Sequence, residues 1–187
     1  MKSPLFLHSE TISSKAVDEV VKYYKKSKKR IKEGTCGEGL VQADVKESRD
    51  LSFSPDELYD DLPLYSNDLI KVTNTYKFKY PELEQATNRW GIVEPINIQQ
   101  YKPGQGFYKP HFERENHTFT RLLVFMTYLT DSNGTYFKYQ DYYQEGKKGL
   151  TLIWPADWTF THQGVIDFNG TKQIITGWFN WILPNAS

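Results

Sequence analysis

The residues most able to do chemistry are His111, Glu113 and His162. His111 and Glu113 stand two apart in Lys109-Pro110-His111-Phe112-Glu113. Along an extended backbone alternate side chains share a face, so imidazole and carboxylate project to the same side. His162 lies in Thr161-His162-Gln163-Gly164, at the start of a later strand. Two neutral imidazoles and one carboxylate on a single face leave the opposite positions of a metal open, which is the donor set of non-haem Fe(II) centres. His-X-Glu alone occurs by chance in many proteins, and an isolated histidine is more often a packing or surface residue than a ligand. Lys172 follows in a strand otherwise made of Ile174, Ile175, Trp178 and Phe179. Lys172, Ile174, Thr176 and Trp178 share a parity and should face one way. Two readings stay open for the lysine: it reaches to water from a strand start, or it is a cation inside a barrel awaiting a carboxylate.

The elements that must position these groups fall into two stretches. Ile12, Ala16, Val20 and Tyr24 recur every four residues, with Val17 and Val21 beside them, and predict an amphipathic helix ending near Gly34. The basic run Lys25, Lys26, Lys28, Lys29 and Arg30 reads as its solvated face. Ser54-Pro55-Asp56-Glu57 starts a second helix, with a serine cap, proline in the first turn and Glu57 as capping-box partner. Pro63 interrupts it, and Leu69, Val72 and Tyr76 continue a helical period before Tyr80-Pro81.

From about residue 91 short β-prone runs alternate with turn residues: 96–101, 121–129, 135–139, 150–154, 160–168 and 171–182. Asn169-Gly170 between the last two predicts a hairpin turn. The expectation is one domain over 1–187, with mainly helical support in 1–90 and a β-barrel-like unit in 91–183.

Bulk properties narrow the classes further. The chain of 187 residues is long enough for one substantial core, and 13 Tyr, 11 Phe and 5 Trp favour a β-rich fold with lined pockets. A formal net charge of zero argues against a phosphate-backbone binder, so no nucleic acid is expected. The lone Cys36 excludes an intrachain disulfide. The apolar run near Met1 is too short for a signal peptide and no membrane-length stretch occurs, so a soluble cytoplasmic protein is expected. Asn-X-Ser/Thr matches at Asn116, Asn133, Asn169 and Asn185 read as chance in turn-rich sequence.

The run from about Glu94 to Trp181 resembles the catalytic core of 2-oxoglutarate/Fe(II) dioxygenases, specifically their prolyl 4-hydroxylase branch. The ordered matches are Tyr101-X-X-Gly104, Tyr108-X-X-His111-X-Glu113, Arg121 ahead of Tyr128-Leu129, Gly134-Thr135-X-Phe137, His162-X-Gly164, Lys172 and Trp178. The resemblance implies an α+β fold: a double-stranded β-helix (jelly-roll, cupin-like) barrel with N-terminal supporting helices. It implies Fe(II) held by His111, Glu113 and His162. It implies 2-oxoglutarate as cosubstrate, chelating iron at one end and reaching Lys172 and the Tyr128 hydroxyl at the other, with Tyr101 lining its pocket. Glu94, Tyr108, Arg121 and Trp178 match residues of the substrate cleft. The alternative for two of them is that Arg121 forms a salt bridge and Trp178 belongs to the core. Ascorbate is implied as an aid that keeps iron reduced.

The chain departs from the pattern at Glu113, where the family usually has aspartate, and in the shortened run Asn133-Gly134-Thr135-Tyr136-Phe137. The leading expectation is hydroxylation of a proline-containing peptide or protein, with release of succinate and CO2. Rival expectations are an oxygenase acting on a free amino acid, a small metabolite or an alkylated base, and a catalytically silent barrel used for binding.

Overall fold

The computed structural model describes residues 3–36, 40–86 and 89–183, so the Asn185 match lies outside the described residues. The first half contains β1 (His8–Thr11), α1 (Ser14–Lys26), β2 (Lys32–Glu33), β3 (Arg49–Phe53), α2 (Pro55–Asp61), α3 (Pro63–Lys79) and the short α4 (Glu82–Gln85). There follow β4 (Trp90–Gly91), β5 (Ile96–Tyr101), β6 (Arg121–Tyr128), β7 (Ser132–Phe137) and β8 (Tyr142–Gly146). The last strands are β9 (Leu150–Pro155), β10 (His162–Gly164) and β11 (Lys172–Trp181).

The larger sheet runs β1-β9-β6-β11-β5-β3-β2, with β4 added on β11, and the smaller runs β10-β7-β8. From β6 onward the chain passes from the larger sheet to the smaller and back, twice. Alternation along each strand divides the larger sheet into two chemically different faces. Leu51, Phe53, Ile96, Ile98, Leu123, Phe125, Ile153, Ile175 and Phe179 pack with Val17, Val20, Leu58, Tyr65, Leu69 and Val72 of the helices in one buried cluster. Val124, Met126, Tyr128, Leu152, Trp154 and Ile174 face the other way, where they meet Phe137 of the smaller sheet. The candidate site residues therefore sit in a space between two sheets, braced from behind by helices.

Helix starts follow their sequence signals. Ser13 Oγ accepts from Ala16 N at α1, and at α2 Ser54 and Glu57 form the reciprocal capping box. α1 ends at Lys26 rather than near Gly34: Ser27 N–H donates to the carbonyls of Tyr23 and Tyr24, and one 3-10 turn follows. Arg30 is drawn to Glu57 (2.5 Å), and the chain then runs extended into β2, which pairs with β3. Besides helices, the first 90 residues supply β1 and β3, each extending the larger sheet beside β9 and β5.

The hairpin expected at Asn169-Gly170 does not form. Asp167 Oδ1 accepts from both Asn169 N and Gly170 N, and neither residue has positive φ. The 160–168 strand is reduced to β10, preceded by a 3-10 turn over Trp158–Phe160. β10 pairs with β7 and β11 with β5 and β6, so the connection is a crossing between sheets. Ser54→Ala should lower stability by about 1 kcal/mol, the usual cost of an N-cap, read as a lower urea midpoint at unchanged slope; an unchanged midpoint would show that α2 does not depend on its cap.

Candidate metal centre and its cavity

His111 and His162 belong to different segments, yet their backbones form one antiparallel bridge. His111 N donates to His162 O at 2.9 Å, and His162 N donates to His111 O at 2.8 Å. The loop carrying His111 is thus stitched to the edge of the smaller sheet. Glu113 N and Arg114 N both donate to Ala156 O, extending the attachment along the same loop.

The ring nitrogens are sorted by their partners. His111 Nδ1 lies 3.1 Å from Lys109 O, and His162 Nδ1 lies 2.9 Å from Phe160 O. A carbonyl only accepts, so each Nδ1 carries the proton and each Nε2 keeps a free lone pair. Both Nε2 atoms face the same oxygen, Glu113 Oε1, at 3.5 Å and 3.7 Å. One donor atom from each residue lies within 4.8 Å of the others. Donors sharing one first-row metal ion at about 2.1 Å each stand roughly 3 to 3.5 Å apart, so a small inward shift would close the site. Phe107 stacks on His111 with centroids 3.8 Å apart, and Trp154 meets His162 edge-on at 5.1 Å.

Protonation states also suit a metal. Burial pushes the Glu113 carboxyl up, but the neighbouring imidazoles, in the protonated form they take in acid, and the Arg121 guanidinium outweigh it and hold it at about 2, so it is ionised near pH 7. Burial, aided by His111, holds His162 down at about 4, so its imidazole is neutral near pH 7. The far oxygen of Glu113 is occupied: Trp178 Nε1 donates to Oε2 at 3.1 Å and Arg121 NH1 lies 3.3 Å from it.

These groups line a cavity of about 570 Å³ that also contains Tyr101, Thr135, Trp154, Gly164, Lys172, Ile174 and Thr176. The shared face expected for Lys172, Ile174, Thr176 and Trp178 is the cavity face. Lys172 is only 6% exposed. Its ammonium donates to Gly134 O at 2.9 Å, and no ion pair is formed among the described residues. Burial pulls its pKa down to about 8, with Asp167 opposing. A Cβ on Gly164 would stand 3.0 Å from Nζ, so glycine keeps room around the ammonium. The donor set fits iron, and a buried cation with protons to spare in the same cavity fits a carboxylate.

The other expected site residues are placed unevenly. Tyr101 lines the cavity, but its hydroxyl donates to Gln99 Oε1 at 2.7 Å. Tyr128 is fully buried behind the wall, its hydroxyl 2.7 Å from Thr135 Oγ1, and Thr135 is the residue that lines the cavity. The Tyr108 hydroxyl is engaged by Glu47 (3.1 Å) and Gly104 O (3.3 Å), and Tyr108 is not part of the wall. Glu94, Arg121 and Trp178 do line it, locked to one another: Arg121 NH2 reaches Glu94 Oε2 at 2.6 Å, and its guanidinium lies 3.6 Å from the Trp178 ring centre. Simple alternation would turn Arg121 toward the helices with Leu123 and Phe125. The register opposes Leu123 to Phe179 but Arg121 to Asn180, so Leu122 is the extra residue of a bulge that re-aims Arg121 inward. The sequence assigns no role to Thr135, Trp154, Asn97 or Gln99, all of which line the cavity; Thr135 stands in the run Gly134-Thr135-X-Phe137, and Gln99 stands two residues before Tyr101.

No protein-family model and no curated protein matches the sequence. Solved structures do. A viral collagen prolyl hydroxylase from Paramecium bursaria Chlorella virus-1, solved with 2-oxoglutarate, superposes with a TM-score of 0.68 at 18% identity, over 95% of this chain and 97% of that one. A Pseudomonas putida prolyl-4-hydroxylase gives 0.68 at 14% identity, over 94% and 92%. A Trichoplax adhaerens prolyl hydroxylase, in complex with a hypoxia inducible factor peptide fragment, gives 0.69 at 14% identity, over 94% and 83%. The two sheets, their alternating connections and the helices behind them make this chain a double-stranded β-helix of the kind these prolyl hydroxylases share.

Proposed function

We propose that this protein is an Fe(II)- and 2-oxoglutarate-dependent oxygenase that hydroxylates a C–H bond of a peptide, with prolyl residues as the leading target. The observation that carries this is the convergence of both free Nε2 atoms on Glu113 Oε1 within a cavity that also holds the buried Lys172 ammonium. Iron and cosubstrate, when bound, supply the oxidising power: 2-oxoglutarate is decarboxylated to succinate and CO2, and one atom of O2 enters the substrate C–H bond. His111, Glu113 and His162 would hold the metal through two imidazole nitrogens and a carboxylate oxygen, a donor set that suits Fe(II) and leaves it positions for further ligands. Lys172 takes the far carboxylate of the cosubstrate in a charge-assisted hydrogen bond, strengthened by the dry surroundings. Met126, Trp154 and Ile174 add apolar surface to the same cavity.

The wall also carries polar groups. Asn97, Gln99 and Thr176 carry amide and hydroxyl groups of the kind that suit the amides of an extended peptide. Two relatives in fold support the ligands: one was solved with 2-oxoglutarate and another with a peptide fragment. Among the described residues no helix is long and apolar enough to cross a membrane. Succinate release with proline-rich peptide, free proline or no added substrate separates the peptide hydroxylase from a metabolite oxygenase and from a silent barrel. Mass spectrometry of the peptide for one added oxygen identifies the product.

His111→Ala or His162→Ala should abolish succinate release while circular dichroism stays that of the wild type; full turnover in either variant would remove the iron site assigned here. Lys172→Ala should raise the 2-oxoglutarate requirement roughly 10- to 150-fold, as loss of a charged hydrogen bond of about 1.5–3 kcal/mol implies, with metal affinity much less affected. An unchanged cosubstrate requirement would reject the role of Lys172. With Lys172 at about 8 before ligand arrives, cosubstrate affinity should hold steady up to pH 8. Above that it should fall by about tenfold per pH unit, because a proton must be taken up on binding. The measurement is 2-oxoglutarate binding to the Mn(II)-loaded protein at pH 7, 8 and 9, and a flat profile contradicts it.

A further inference from the structure

Glutamate at position 113 raises a problem that aspartate would not. The extra methylene adds a rotatable bond, and a carboxylate on a longer arm can turn both oxygens onto a metal, closing a position that the chemistry needs open. The surroundings of Glu113 address this. Oε1 is left to the two imidazoles, while Oε2 accepts from Trp178 Nε1 at 3.1 Å and faces Arg121 NH1 at 3.3 Å. Arg121 NH1 also donates to the backbone carbonyl of Glu113 at 3.2 Å, so it grips the residue at both ends. Arg121 is itself fixed: Nε lies 3.1 Å and 3.0 Å from the two Glu94 oxygens, NH2 lies 2.6 Å from Oε2, and the guanidinium stacks 3.6 Å from the Trp178 ring centre. Because Arg121 is shared with Glu94, it orients Glu113 without cancelling the negative charge a metal would draw on.

We infer that Trp178 and Arg121 are positioning residues for the metal, a clamp that makes the longer Glu113 a one-oxygen ligand, with Glu94 holding the clamp in place. This rests on the proposed metal role of His111, Glu113 and His162. It removes the need for Arg121 and Trp178 to contact substrate, and it predicts that they matter when no substrate is present. Orienting partners of this kind are commonly worth 10- to 100-fold in metal affinity.

The test is Co(II) titration of the metal-free protein followed by visible absorption and calorimetry, without cosubstrate or peptide. Trp178→Phe keeps a ring for Arg121 to stack on but removes the N–H, and should weaken Co(II) binding about tenfold and alter the visible band. Arg121→Met should weaken it at least as much. Glu113→Asp, which draws the carboxylate away from the indole, should cost less in the Trp178→Phe background than alone, because both changes break the same contact. Thermal unfolding of each metal-free variant accompanies the titrations. A lowered midpoint with Co(II) affinity and spectrum unchanged would mean that Trp178 and Arg121 serve packing alone, and would overturn the clamp while leaving the metal site standing. Failure of the wild-type protein to bind Co(II) at all would instead overturn the metal site and the clamp with it.

Discussion

The site depends on one pair of backbone hydrogen bonds, those exchanged between His111 and His162. Without them, His111 and Glu113 would sit on a loop between β5 and β6 whose side chains had no reason to meet β10. Made reciprocally, the bonds fix the two residues as direct partners, so their side chains emerge on the same side of the pair, with rings 4.5 Å apart. The remaining orientation comes from carbonyls. Lys109 O and Phe160 O each lie two residues before the histidine they hold, so the ring is aimed by its own segment. Geometry that looks like a property of three side chains is mostly imposed by the main chain.

The larger sheet makes that geometry stable by separating two tasks across its thickness. Its helix-facing residues are aliphatic or aromatic and close-packed, and its polar interruption, Thr127 and Thr151 with Tyr65, is satisfied internally at 2.7 Å and 3.0 Å. The opposite face carries Lys172, Thr176, Asn97 and Gln99, which a core would not tolerate. β11 supplies both faces at once, with Ile175 and Phe179 behind and Lys172 and Trp178 in front. The apolar cluster on the reverse side anchors the strands of the larger sheet that line this polar cavity.

How much of this was legible in the sequence follows from the same division. Parity along an uninterrupted strand is readable, and it placed Lys172, Ile174, Thr176 and Trp178 on one face. Spacing of two placed His111 beside Glu113. What could not be read is anything that breaks the period or depends on a distant partner. Asn169-Gly170 has the composition of a tight hairpin, but the Asp167 carboxylate takes both N–H groups and the next strand leaves for the other sheet. β1 is short and polar, His8-Ser9-Glu10-Thr11, and is a strand only because β9 offers it an edge. Arg121 points into the cavity through a bulge at Leu122, which no local signal announces. The Tyr128 hydroxyl meets Thr135 Oγ1 at 2.7 Å, a contact that depends on how β7 crosses the barrel and that no local signal announces.

The charges explain why such an arrangement remains poised rather than collapsed. Around the two ends of the cavity the carboxylates of Glu94 and Glu113 face the cations Arg121 and Lys172, but they are not evenly shared. Arg121 is spent on both carboxylates, and Lys172 is left with a carbonyl. The Glu113 end therefore keeps an excess of negative charge and the Lys172 end an excess of positive, in partly buried surroundings that screen both less than bulk water would. A divalent cation relieves the first and a carboxylate the second. Neither alone restores balance, since a cation by itself leaves the lysine uncompensated and an anion by itself meets Glu113. A dication bound together with a dianion that reaches both ends leaves the cavity as neutral as it was when empty, with each local excess now matched. On electrostatic grounds, then, metal and dicarboxylate should each favour the other's binding, a coupling that requires no movement of the fold.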